Sequence, residues 1–85
     1  MTLSSIGSNM TELELDGMKI LFSYKTPVAV LVREETAEGM AWHQYKTDCR
    51  WSATTTRHIS KWNPLGGAYG LKPQTFFDNL IAGVK

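Results

Sequence analysis

The sequence predicts an α+β domain in which a four-stranded antiparallel meander is followed by two C-terminal helices (β-β-β-β-α-α). Three observations carry that expectation. Apolar and polar residues alternate over much of the stretch from Thr11 to Tyr45, the period of a half-buried strand. Turn residues, foremost the Asp16-Gly17 pair, cut that stretch into strand-sized pieces. From Ser52 onward the apolar spacing changes to three and four, the period of a helix.

Residues Met1 to Asn9 are rich in Ser, Gly and Asn, the composition of a loose tail. A single domain is therefore expected over 11–85, behind a flexible segment 1–10. Thr11–Leu15 is the first strand, with Leu13 and Leu15 on one face and Glu12 and Glu14 on the other. Asp16-Gly17 is a two-residue hairpin, because both central residues of a type I′ turn need positive φ. Met18–Tyr24 is the second strand, with Met18, Ile20, Phe22 and Tyr24 on one face. Lys25-Thr26-Pro27 is a break, since proline has no N–H for a central ladder. Val28–Arg33 is dense in β-branched residues and reads as the central strand. Glu34–Gly39 is an acidic turn, and Met40–Tyr45 is the fourth strand.

Ser52 is a fitting N-cap for a helix over Ala53–Trp62. Thr55, Ile59 and Trp62 fall on its inner face, while Thr54, Arg57, His58 and Lys61 fall opposite. Asn63-Pro64 ends it, and Leu65–Gly70 reads as a flexible loop. Pro73 suits the first turn of a second helix, whose Phe76, Phe77, Leu80, Ile81 and Val84 form an apolar stripe that packs on the sheet. The meander is then covered on one face.

Composition narrows the chemistry. The chain has 85 residues, 42% of them hydrophobic and 20% charged, with no apolar run near the roughly 18 residues of a membrane span. The N-terminus lacks the basic and apolar regions of a secretory signal. Cys49 is the single cysteine, which excludes an internal disulfide and fits a reducing cytoplasm. Two histidines and one thiol at wide spacing offer no metal set, and Gly66-Gly67 with Gly70 lacks the lysine of a phosphate loop. No cofactor is implied.

The net charge of +1 hides an asymmetry. Lys46, Arg50, Arg57 and Lys61 face only Asp48 between His43 and Trp62, whereas six of the eight acidic residues precede His43. This makes the segment from Trp51 to Trp62 the candidate site. Arg50, Ser52, Thr54, Arg57, His58 and Lys61 form a basic, hydroxyl-rich stripe that could bind a phosphate, a nucleic-acid backbone or an acidic protein surface. The structural alternative is that Ser52 caps, the threonines satisfy the first turn and the cations are solvated. His43 and His58 could serve as an acid–base pair for RNA cleavage only if the fold brings them together.

Two stretches carry a resemblance. Ser23-Tyr24-Lys25-Thr26-Pro27-Val28-Ala29, followed by Trp51-Ser52-Ala53-Thr54-Thr55-Thr56-Arg57-His58-Ile59, resembles a small uncharacterised family of bacteriophages and prophages, with the pattern Ser-Tyr-x-Thr-x-Val-Ala and then Ser-x-Thr-Thr-x-x-His. It covers about Met18 to Trp62, with Trp51 in place of the family's usual Tyr and Thr56 in place of Ser. The resemblance implies phage origin and action in the host cytoplasm, with no mechanism attached. A physical account stands beside it: the Ser-x-Thr-Thr helix start hydrogen-bonds into the Tyr24–Thr26 corner, so that both signatures are one joint. The expected function is a non-enzymatic binding protein that acts on a host or phage protein, in host takeover or against host defence. The alternative is nucleic-acid binding through the Arg50–Lys61 stripe, and a homodimer is compatible with the small size.

Overall fold

A computed structural model of the chain describes residues 2–7, 9–15, 17–49 and 52–82. The order is β1 (Thr2–Gly7), β2 (Met10–Leu15), β3 (Met18–Ser23), β4 (Thr26–Thr36), β5 (Gly39–Thr47), α1 (Ala53–Trp62), β6 (Gly70–Lys72) and α2 (Gln74–Ala82). The α+β class and the two C-terminal helices agree with the expectation. The strand count does not: among the described residues the sheet has six strands in sequence order, with β1 to β5 antiparallel and β6 parallel to β5.

Both additional strands come from segments whose composition argued against strand. The segment expected to be a loose tail is β1, with Leu3 opposite Leu13 and Ser4 opposite Glu12. Its short polar residues have weak strand preference of their own, and the ladder offered by β2 overrides it. The expected flexible loop is pinned along its length. Buried Gln44 of β5 donates to the Asn63 side chain at 2.7 Å and the Gly67 carbonyl at 2.9 Å, and accepts from Leu65 N–H at 3.0 Å. Tyr69 donates its hydroxyl to the Ile59 carbonyl at 2.7 Å. The loop then enters the sheet as β6, where glycine is required at Gly70: a Cβ there would lie 2.7 Å from Cδ1 of Tyr45.

The hairpins follow their turn residues. Gly17 takes φ +75°, as the Asp16-Gly17 turn requires, although Asp16 lies outside the described residues. The acidic turn is tighter than expected. Strand β4 continues to Thr36 and only Ala37 and Glu38 bridge to Gly39, whose φ is +112°. The break at Lys25–Pro27 is confined to Tyr24 and Lys25. Pro27 lies within β4 opposite Phe22, where a register shift between Leu21 and Phe22 accommodates a residue without an N–H.

The helices cover opposite faces of the sheet, not one. Neighbouring strand residues point to opposite sides. Leu21 packs with Met10, Val28, Ala29 and Ile59 beneath α1, with Trp62 and Tyr69 around them. Ile20 packs with Leu13, Val30 and Phe77 beneath α2. Coverage on both faces explains why Pro27 through Leu31 is buried without alternation. Val84, expected on the α2 stripe, lies outside the described residues. Among the described residues, no helix is long and apolar enough to cross a membrane.

Candidate functional site

Three regions of the surface and its supports bear on function. The first is the joint between β3 and α1. Ser52 caps α1 by accepting the Thr55 N–H at 3.3 Å. This turns Thr55 and His58 toward the sheet, where the Ser23 hydroxyl meets Thr55 Oγ1 at 2.9 Å and His58 Nδ1 at 2.8 Å. Ser23 and His58 are 2% and 8% exposed. Tyr24, held at φ +60°, lays its ring 6.0 Å from the imidazole, and its N–H bonds the Asn9 carbonyl at 2.7 Å. A serine beside a histidine invites a nucleophilic reading, but this hydroxyl is sealed from any substrate and engaged on both sides. Its role is to satisfy buried polar groups where helix meets sheet.

That joint corrects one site residue. His58 was expected on the outer face of α1; it lies inside, one turn from Thr55 and Trp62. Helical spacing puts it at the border of the two faces, and the buried Ser23 hydroxyl draws it inward. Arg57 and Lys61 are exposed, Thr54 is half-buried, Ser52 is exposed at the cap, and Arg50 lies outside the described residues. The stripe therefore survives as two cations. His43 and His58 do not meet. The His43 ring stacks on Tyr45, whose own ring packs on Phe76 of α2, whereas His58 lies under α1 on the other face. Acid–base catalysis by this pair is excluded by the sheet between them. Among the described residues no three His, Cys, Asp or Glu side chains gather to hold a metal ion.

The second region is a cleft of about 260 Å³ at the carboxyl end of β5, lined by residues including Lys46, Asp48, Cys49, Thr56, Ser60 and Tyr69. It lies where the β5–α1–β6 crossover opens, the usual place for a ligand in a parallel pair. Its size is below the roughly 300–1,000 Å³ of ligand pockets. Its lysine is occupied, with the Lys46 ammonium 5.9 Å from the centre of the Tyr69 ring. Burial pushes the Tyr69 hydroxyl up to about 12, against the lowering effect of a backbone hydrogen bond at Asn63, so this group is a neutral donor at physiological pH.

The third region is the half of the α1 face that the helix leaves uncovered. Trp42 lies directly across the β4–β5 ladder from Arg33. Met40 is two residues away on the same side of β5, and Leu65 is held beyond Gln44 by its N–H bond to that side chain. Trp42 is 46% exposed, Met40 54% and Leu65 49%. Glu14 and Lys19 form an ion pair at 3.5 Å on the same face, two strands away. Sequence reasoning missed this surface because it placed a long turn over Glu34–Gly39. The signal was present: a two-residue turn at Ala37-Glu38 would have set Arg33 opposite Trp42. Nothing in the sequence marked Gln44 as the anchor of the loop.

The chain belongs to a family of unknown function, DUF8033. The match spans residues 1–79, from the start of the chain through most of α2. No curated protein and no solved structure matches the chain. Membership assigns no activity, so function rests on the geometry just described.

Proposed function

We propose that this protein is a non-enzymatic binding protein that engages another protein through the open half of its α1 face. The observation that carries the reading is the exposed Trp42 paired across the ladder with exposed Arg33, with Met40 beside it. Trp, Arg and Met are the side chains enriched at the centres of protein interfaces, and a tryptophan or arginine there can supply 2 kcal/mol or more of binding, on the order of a thirtyfold change in affinity. Trp42 and Met40 hold no place in the two core clusters and leave about half of their surface to solvent. The resemblance to phage and prophage proteins extends the proposal to a host or phage protein as the partner, in the host cytoplasm.

Nucleic-acid binding by the helix is the weaker reading. Arg57 and Lys61 are exposed, and neither has an ion-pair partner among the described residues. Two cations neutralise about two phosphates, far fewer than the roughly 6–10 contacts of a protein that depends on them. Photo-crosslinking separates the two. A photoreactive residue at position 42 should yield one discrete protein adduct, lost when Arg33→Glu is added. Adducts to nucleic acid from position 57, with none to protein from position 42, would reverse the order of the readings.

A further inference from the structure

The two edges of the sheet are unequal. Strand β6 is three residues long, includes Lys72 and is followed by Pro73, which are devices that discourage further pairing. Strand β1, Thr-Leu-Ser-Ser-Ile-Gly, has no charge and no proline, and Leu3 is 67% exposed and Ile6 40%. Its outward hydrogen-bonding groups can be assigned. The Tyr24 N–H bonded to the Asn9 carbonyl continues the β2–β3 ladder, in which Met10 faces Ser23 and Thr11 faces Phe22. By the alternation of an antiparallel ladder, Thr11 and Leu13 then bond to β3, and Glu12 and Glu14 bond to β1. Glu12 and Glu14 face Ser4 and Thr2, so the backbones of Leu3 and Ser5 point outward.

We propose that this edge pairs with a second copy of the chain, two β1 strands joining antiparallel about a two-fold axis through Ser4 to form one continuous sheet. The axis position follows from parity. It is the register in which both outward residues of each copy meet their counterparts, Leu3 opposite Ser5 of the second copy and Ser5 opposite its Leu3. No like charges meet, because β1 carries none. The pairing also fills a groove. On the α2 face, Ser5 is followed across the sheet by Thr11 and then Phe22. These last two line a mainly apolar groove of about 310 Å³ with Leu3, Tyr24 and Lys25. Small Ser5 leaves the groove open toward the edge, and Leu3 of the second copy lies opposite Ser5, at its mouth. A single pair of short strands covers less than the roughly 800 Å² per partner of a standard interface, so the dimer dissociates in the micromolar range or above.

Sedimentation of the full chain from about 1 µM to about 1 mM, the range suited to a small interface, should show a reversible monomer–dimer equilibrium. Ser5→Pro removes an outward N–H, and Leu3→Lys places a cation at the groove mouth of each copy. Each should raise the dimer dissociation constant more than about tenfold with the far-UV circular dichroism unchanged. In a Cys49→Ser background, oxidised Ser4→Cys should cross-link to a dimer, since Ser4 meets its own copy in a non-hydrogen-bonded pair with Cα atoms about 4.5 Å apart. A monomer across the whole range overturns the proposal, as does a dimer that survives Leu3→Lys and fails to cross-link at position 4. Should Ser5→Pro unfold the chain, Leu3→Lys and the cross-link still decide. The test is independent of the Trp42 surface, which lies on β5 at the other side of the sheet.

Discussion

Helix α2 is held to its face of the sheet by an apolar contact, the fully buried Phe77 against Leu13, Ile20 and Val30. Helix α1 is held to the opposite face both by Ile59 against Leu21, Val28 and Ala29 and by polar groups: Thr55 and His58 on Ser23, and the Trp62 indole N–H on Glu12 at 3.0 Å. The difference matters because the two kinds of contact fail differently. Apolar packing loses energy in proportion to the volume removed. A buried polar joint loses little when both partners are replaced by apolar groups of the same shape, but each orphaned donor or acceptor carries its full desolvation cost. The Phe77 contact is therefore governed by the volume it fills, and the Ser23 joint specifies how α1 is placed.

The largest expected effect is on the apolar side. Phe77→Ala should cost about 3–5 kcal/mol in urea unfolding, enough to leave a domain of this size marginal. A loss under about 1 kcal/mol would show that α2 contributes little to the fold. On the polar side, Ser23→Ala should cost about 1–3 kcal/mol, because it leaves His58 Nδ1 without its partner and Thr55 Oγ1 with only the longer 3.4 Å contact to the Ser52 hydroxyl. The cycle with Thr55→Val should show a coupling of about 0.5–3 kcal/mol, and additivity would mean that the joint is not a unit.

The smallest effect is a pH dependence on the α1 side. The Tyr69 hydroxyl is raised from the ordinary value of 10.0 to about 12, chiefly by burial. A folded pKa above the unfolded one means that the contribution is fully present below about pH 10 and is lost as pH rises through about 12. Tyr45 acts in the same direction from the α2 side, first because its hydroxyl donates to Glu34 Oε1 at 2.6 Å and second through burial. Denaturant midpoints measured across this window should fall less steeply in Tyr69→Phe than in the parent chain. Parallel curves would remove Tyr69 as the cause.

The same contrast explains what could be read in advance. Stripes of one period were legible. Leu13 with Ile20, Val30 and the Phe76–Ile81 pattern of α2 lie where alternation and helical spacing placed them, since each marks its own buried face. Segments whose structure depends on a neighbour were not. Strand β1 has little preference of its own and forms on β2, and β6 exists because Gly70 lets the chain approach Tyr45. His58 was misplaced for a related reason. Its helical position is on the border between faces, and the side it takes is decided by Ser23, thirty-five residues away.

The sequence by itself determined the α+β class, the Gly17 hairpin, the Ser52 cap and the inward placement of Thr55, Ile59 and Trp62, because these depend on local backbone preference and on the period of apolar residues. It also carried the two signatures that turn out to be one joint, although not the atoms that join them. Only the tertiary structure decided that the helices lie on opposite faces, that His43 and His58 are separated and that β1 is left as an open edge. Each of these is a relation between residues distant along the chain, and such relations are settled by which buried donors, acceptors and apolar surfaces find partners when the elements pack.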